Sequence, residues 1–417
     1  MSMKSKIFRL LEILFSVHHN NRGTSIIVIS YNGIYPPFSA TDVFNYHKIE
    51  SILHLKWNRS LILQGQENSV DKYPPFMDGK VISPTSKIRG RFLKHFVYFF
   101  FCLSAILKLR RYFGIIYFMG SEFLPIALFG KIFLNYRIIG DVDTYTIAYN
   151  RGEIMSYGAY DFTERLFEPF MASCDIIIVI NERDRDILIN KGFDVNKMLI
   201  MPPSREVPNV DPKRMSEIRK QFFSKLSEED FQLDEKALII AFHGSATAQH
   251  NKKTIDIIVA NVMPKVLERN KRCLFLIIGG GYEFDSALKN EYRKNIYFTG
   301  FLSEGEMKDL LSISDLYIAP MTMGAKGGTK TKIIEAAMYG LPIITTPEVG
   351  EQYFRNSCPF LISSIENFSK TVIDVTQHKE KLKELGNLTL KYIIENYSSK
   401  NYEKFRERIA SLLNLEL

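Results

Sequence analysis

Short apolar runs rich in β-branched residues alternate with helical stretches along nearly the whole chain, and no other feature restricts the fold as much. The runs "TSIIVISYN" (24–32), "FGIIYFMGS" (113–121), "YRIIGDVDT" (136–144), "CDIIIVI" (174–180) and "KMLIMPPS" (197–204) read as strands. Between them lie "FLPIALFGKIFL", "YDFTERLFEPFMAS" and "NERDRDILINKG", the last ending at Gly192. A charged segment with proline near its start interrupts the pattern at 206–234, and it then restarts with "ALIIAFHGS", "CLFLIIGGG", "IYFTGF", "DLYIAP" and "PIITT". Strands separated by helices predict parallel sheets covered on both faces. The expected fold is α/β, with two facing Rossmann-like doubly wound domains and ligand crevices at the carboxyl ends of the strands. A chain of 417 residues has room for two such cores. The expected boundaries are 1–23 for an N-terminal amphipathic extension, 24–205 for the first domain and 206–234 for a linker with a surface helix. Residues 235–395 form the second domain and 396–417 a C-terminal amphipathic helix.

Charge is unevenly placed. Residues 1–205 carry 25 Lys and Arg against 18 Asp and Glu, and the remainder is nearly balanced. The stretch from Gly79 to Ser121 has no acid but contains Lys80, Lys87, Arg89, Arg91, Lys94, Lys108, Arg110 and Arg111. Embedded in it is "HFVYFFFCLSAIL" (95–107), too short to span a bilayer, which takes about 20 residues. It reads as a core helix, as an amphipathic element on anionic lipid, or as both. No nucleic-acid module accompanies the charge, so no nucleic-acid partner is expected. The N-terminus lacks a clean apolar run and a small-residue cleavage site, which argues against a signal peptide. Cys102, Cys174, Cys273 and Cys358 are scattered, form no metal-binding spacing and suit a reducing compartment.

The stretch "GGTKTKIIEAAMYGLPIITT" (327–346) is the most suggestive for chemistry. Two glycines and a Thr/Lys cluster precede a helix that Gly340 and Pro342 terminate. A helix N-terminus beside lysines is an anion site. Thr331 and Glu335 share the face away from Ile333 and Ala337, and a carboxylate there can accept hydrogen bonds from a diol. Phosphate plus diol suggests a nucleotide.

At this point the second half resembles the donor domain of retaining GT-B glycosyltransferases, close to glycosyltransferase family 4 (group 1). "AFHGSATAQHNKKTIDII" resembles the segment that receives the donor pyrophosphate, and "LFLIIGGGYEF" the strand ending in G-x-G. "IYFTGFLSEGEMKDLLSISDLYIAP" resembles the base-side loop with its helix and strand, and the 327–346 stretch the glycine loop and Glu-bearing helix. The first half, with "IYPPFSATD" and "CDIIIVINERDRDILINKGF", fits more loosely as the acceptor domain. The resemblance implies a transferase moving a sugar from a nucleotide-sugar donor to a lipid-linked or surface-polysaccharide acceptor. It implies retention, no metal and no cofactor, the nucleotide sugar being a substrate. The expected location is cytoplasmic, peripheral on the inner face of the cell membrane, with an anionic membrane surface as partner. A same-fold nucleotide-sugar epimerase and a non-catalytic sugar-nucleotide-binding subunit are the alternatives.

The implied donor residues are Gly244, Ser245, Lys253, Gly279, Gly281, Gly328, Thr329, Lys330 and Glu335, with Glu335 on the ribose. Lys252 and Lys332 would stabilise charge on the leaving phosphate, and Asp143 or Glu122 would orient the acceptor or the donor sugar. Gly327 stands where the family commonly has a sugar-contacting Glu. Ser245 replaces a usual arginine, and Met119 a usual histidine. The "DVD" at 141–143 admits a divalent cation by its spacing, but the nucleotide signatures lie in the other domain.

Overall fold

The computed structural model describes residues 25–30, 40–65, 74, 77–78, 80–83, 91–119, 124–142, 171–282, 290–322, 329–353 and 358–415. Contacts divide the chain into two compact units. One comprises the chain up to Ser204 together with Lys400–Leu417, the other Arg205–Ser399. The expected extension at 1–23 lies outside the described residues.

Seven strands build the first sheet: β1 (Ser25–Ser30), β2 (Arg59–Gln64), β3 (Val81–Ile82), β4 (Ile115–Met119), β5 (Arg137–Val142), β6 (Ile176–Val179) and β7 (Met198–Ile200). They are parallel throughout, in the order β3-β2-β1-β4-β5-β6-β7. Every residue of β1, β4 and β6 is buried, as expected of strands covered on both faces. The helix Arg91–Leu109 packs Tyr98, Cys102, Ala105, Ile106 and Leu109 into the core. Its Tyr98 hydroxyl lies within hydrogen-bonding distance of the carbonyls of Ser30 (2.8 Å) and Leu63 (2.6 Å), sharing its one proton between β1 and β2.

The second unit has six parallel strands: β8 (Leu238–His243), β9 (Cys273–Ile278), β10 (Ile296–Phe298), β11 (Leu316–Ala319), β12 (Ile343–Thr345) and β13 (Leu361–Ile362). Their order is β10-β9-β8-β11-β12-β13. In both units the chain walks outward over three strands and returns beside its first. The topological switch points are therefore β1/β4 and β8/β11, where ligand crevices open beyond the carboxyl ends.

Two segments sit differently from the sequence reading. The helix Pro212–Glu228, capped by Asp211, buries Phe222, Phe223 and Leu226 in the second core instead of lying only on the surface. The final helix, Asn401–Leu413, belongs to the first unit: Tyr402, Phe405, Ile409 and Leu413, at three- and four-residue spacing, pack into its core. Arg137 on β5 donates to the carbonyls of Leu412 (2.7 Å) and Leu413 (2.8 Å), satisfying acceptors that a helix end leaves open. The four cysteines form no disulfide. Burial pushes Cys102, Cys174 and Cys273 up to about 12 and Cys358 to about 11, so none is a reactive thiolate.

Candidate functional site

A polar cluster forms where β8 ends, beside β11. β8 is apolar until its last residue, His243, and Gly244 then turns the chain with φ +149°. A Cβ at Gly244 would lie 2.7 Å from the Lys332 ammonium and 2.8 Å from the Asn251 amide, so only glycine lets these groups approach. Gly279, after β9, has φ +134°, and a Cβ there would lie 2.6 Å from the Gly244 carbonyl. The two glycine turns therefore stack backbone on backbone. Gly281 packs on Thr247.

Asn251 orients the turn and the lysine together. Its amide nitrogen donates to the Ser245 carbonyl at 2.9 Å, and its amide oxygen accepts from Lys332 Nζ. Ser245 Oγ meets Thr247 Oγ1 at 2.7 Å. The Lys332 Nζ also lies 5.0 Å over the Phe242 ring. Burial, with the neighbouring charge of Lys330 second, pulls the Lys332 ammonium down to about 7.

Lys332 belongs to the helix Thr331–Met338, whose Ile333, Ile334, Ala336 and Ala337 are buried. Lys330 occupies the N-cap position, and among the described residues no side chain caps this helix start. Its carbonyl accepts from Tyr353 at 2.9 Å, and Thr329 is buried beside Gln352. One turn into the helix, Glu335 Oε2 lies 3.3 Å from His243 Nε2, the two side chains being 20% and 8% exposed. Burial alone would push the Glu335 carboxyl up. His243, Arg205 and Lys308 together outweigh that and hold the group below the ordinary carboxylate value. Among the described residues, His243 Nδ1 is buried with no hydrogen-bond partner.

The fold thus brings together Gly244, Ser245, Gly279, Lys332 and Glu335, with Thr329 and Lys330 at the helix start. Lys252 and Lys253 are exposed on the helix Gln249–Ile257, which carries Asn251. Glu335 is not the freely exposed residue that its helix face suggested. Gly328, Glu122 and Asp143 lie outside the described residues, as does Gly327. Sequence reasoning missed His243 and Asn251. A ring ending the apolar run "LIIAFH" was the available signal for the first.

In the first unit Asp141 is buried, both its oxygens taking Lys48 Nζ at 2.8 Å and one also the Tyr117 hydroxyl. That ion pair gives Asp141 a structural role and weighs against the paired-carboxylate reading of "DVD". Among the described residues no group of three or more His, Cys, Asp or Glu is arranged to hold a metal. Met119, where the family's histidine was expected, ends β4 in register with Asp141.

Residues 237–378 match the family model described as Glycosyl transferases group 1. No curated protein matches the chain in sequence. Among solved structures, HepE of Anabaena in complex with UDP aligns with a TM-score of 0.63 at 12% identity, covering 93% of this chain and 100% of its own. Sucrose-phosphate synthase of Thermosynechococcus elongatus aligns at 0.65 and 13%, covering 93% and 100%. WaaG, a glycosyltransferase involved in lipopolysaccharide biosynthesis, aligns at 0.61 and 13%, covering 92% and 98%. At such identities the likeness shows the fold, which is GT-B.

Proposed function

We propose that this glycosyltransferase, whose residues 237–378 form a group 1 glycosyltransferase domain, transfers a sugar from a nucleoside-diphosphate donor to a lipid-linked or surface-polysaccharide acceptor, with retention and without metal. The observation that carries the donor reading is the cluster of His243, Gly244, Asn251, Lys332 and Glu335 at the β8/β11 switch point. A uridine donor is the first to test, because HepE has been solved with UDP-glucose.

In this reading the diphosphate sits at the uncapped start of the Thr331–Met338 helix, against Lys330 and Lys332, while Glu335 accepts hydrogen bonds from the ribose hydroxyls. Gly244 and Gly279 keep the floor free of side chains. As the bond from the anomeric carbon to the phosphate oxygen breaks, charge grows on the leaving diphosphate. The protonated Lys332 and the helix N–H groups stabilise it electrostatically. The acceptor oxygen bonds to the anomeric carbon, and its proton passes to the leaving phosphate, so no separate base is required. Lys252 and Lys253 are left as an outer basic rim, and Asp143 or Glu122 as orienting groups on the acceptor side. The donor is a substrate, and no cofactor is invoked. A lipid-linked acceptor would place the enzyme peripherally on the cytoplasmic membrane face.

The test is a thermal-shift screen against a panel of nucleotide sugars, followed by turnover with the stabilising donor. Stabilisation by a nucleotide sugar that Glu335→Ala abolishes supports the reading. Stabilisation undiminished in Glu335→Ala removes the ribose assignment, and binding without turnover favours a non-catalytic partner.

A further inference from the structure

The helix Arg91–Leu109 has two apolar faces, and only one is used by the core. Tyr98, Cys102, Ala105 and Leu109 point inward. Leu93, Phe96, Phe100 and Leu107, at three-, four- and seven-residue spacing, line the opposite side. Leu93 is 53% exposed, Phe96 55% and Phe100 50%, with the Phe96 and Phe100 rings 4.7 Å apart. The helix Leu124–Leu134 packs beside it and adds Ile132 and Phe133, at 63% and 69% exposed. A soluble surface normally scatters such residues singly. Here, among the described residues of the first unit, most of the large exposed hydrophobics fall on two adjacent helices.

The surrounding charge selects the partner. The helix and its end carry Lys94, Lys108, Arg110 and Arg111, the last three exposed, and neither helix contains an acid. A second copy of this face gains nothing from one-signed charge at its edge, since two copies would bring their cations together. Aromatic side chains flanked by cations match an anionic bilayer, where the rings enter the headgroup boundary and the cations meet lipid phosphates. Among the described residues no helix is long and apolar enough to cross a membrane, so this would be attachment from one side.

We propose that the Leu93–Phe96–Phe100–Leu107 stripe with Ile132 and Phe133 is a reversible docking surface for anionic lipid membrane. This deepens the peripheral-membrane reading above and does not depend on the donor site. It adds the second helix and assigns insertion to specific rings, neither of which the charge count could supply.

The full chain is assayed by flotation with phosphatidylcholine vesicles, with and without phosphatidylglycerol. Binding is expected only when phosphatidylglycerol is present, and to fall as salt rises. Each basic side chain near the surface contributes roughly fivefold. Changing Lys94, Lys108, Arg110 and Arg111 to Gln should therefore weaken partitioning by at least about tenfold. Phe96→Ser with Phe100→Ser and Phe133→Ser should weaken it comparably while leaving the salt dependence in place. All these side chains lie at least partly in solvent, and an unchanged melting temperature and nucleotide-induced thermal shift confirm that fold and donor site persist. Equal binding to phosphatidylcholine alone, no binding to either vesicle, or serine variants that bind like wild type overturns the proposal. So does a wild-type dimer that the serine variants dissociate, which would assign the face to a second copy. Loss of donor binding with vesicle binding intact would count against the donor site only.

Discussion

Lys332→Met isolates the most unusual group in the candidate site. Its ammonium is pulled from 10.5 to about 7 by burial and by Lys330, which sets a ceiling of about 5 kcal/mol on what the charged form costs the free protein. The sign follows from proton counting. Between pH 7 and 10.5 the unfolded chain holds a proton that the folded site does not, so the stability of the free enzyme rises with pH across that window. Methionine preserves the chain's bulk and removes the titration. Asn251 loses its partner, at about 1–3 kcal/mol, which leaves a net gain of at most about 2–4 kcal/mol at pH 6. The melting temperature at pH 6 should therefore rise, with the rise in stability towards pH 10 flattened. Donor binding should move the other way: losing a charge-assisted contact to a diphosphate costs about 1.5–3 kcal/mol, or roughly 10- to 100-fold in Kd. For the wild type, nucleoside-diphosphate affinity should fall above pH 7, because binding must then take up a proton. Calorimetry in buffers of different ionisation enthalpy would show that uptake. If Lys332→Met binds UDP as tightly as wild type and shows the same pH slope of stability, both the burial argument and the phosphate assignment fail.

Two further outcomes follow from the same geometry. Glu335→Gln and His243→Gln should each weaken nucleotide binding by about 1–2 kcal/mol, and the double variant should lose clearly less than the sum, since the two side chains act as one unit. Because the Glu335 carboxyl is held below its ordinary 4.5, its contribution to stability is present above that pH and lost as pH falls beneath it, so Glu335→Gln should flatten the acid side of the stability profile; additive losses with an unchanged acid limb would show the pair is uncoupled. Turnover should persist in excess EDTA if lysines and helix N–H groups carry the leaving charge. Complete loss restored by Mn²⁺ would move the chemistry to a metal.

Much of the fold was legible because doubly covered parallel strands must be apolar on both sides, and "SIIVIS", "IIYFM", "LIIAFH" and "CLFLII" leave no amphipathic alternative. The unread elements lack that signature. β3 and β13 are two residues each, too short for any period. β2 opens with Arg59 and Ser60, so its apolar stretch shrinks to three residues. The helix Ala40–Leu53 follows a Pro-rich loop and shows no strong one-sided pattern, yet it supplies the buried Lys48. Within the site, the glycine turns and the Glu-bearing helix were readable from local sequence. Which lysine faces inward was not, because Lys252 and Lys253 differ from Lys332 only in what the rest of the fold lays over them.

Asp141 and Glu335 show why partners, not positions, separate scaffold from site. Each is an acid near the carboxyl end of a central strand or one turn into the helix beside it, the region where a doubly wound unit holds its ligand. Asp141 receives both Lys48 contacts and the Tyr117 hydroxyl and has no exposure, so its lone pairs are filled from within, by a lysine 93 residues away. Removing that lysine would strand a buried charge at about 3–5 kcal/mol, a debt the fold has settled with no ligand in view. Glu335 has His243 against one oxygen and keeps a fifth of its side chain open. His243, Arg205 and Lys308 together hold it below the ordinary carboxylate value, beside a helix start that no described side chain caps and the lysine that burial pulls down to about 7. A carboxylate so placed still has hydrogen bonds to accept, and a diol can supply them.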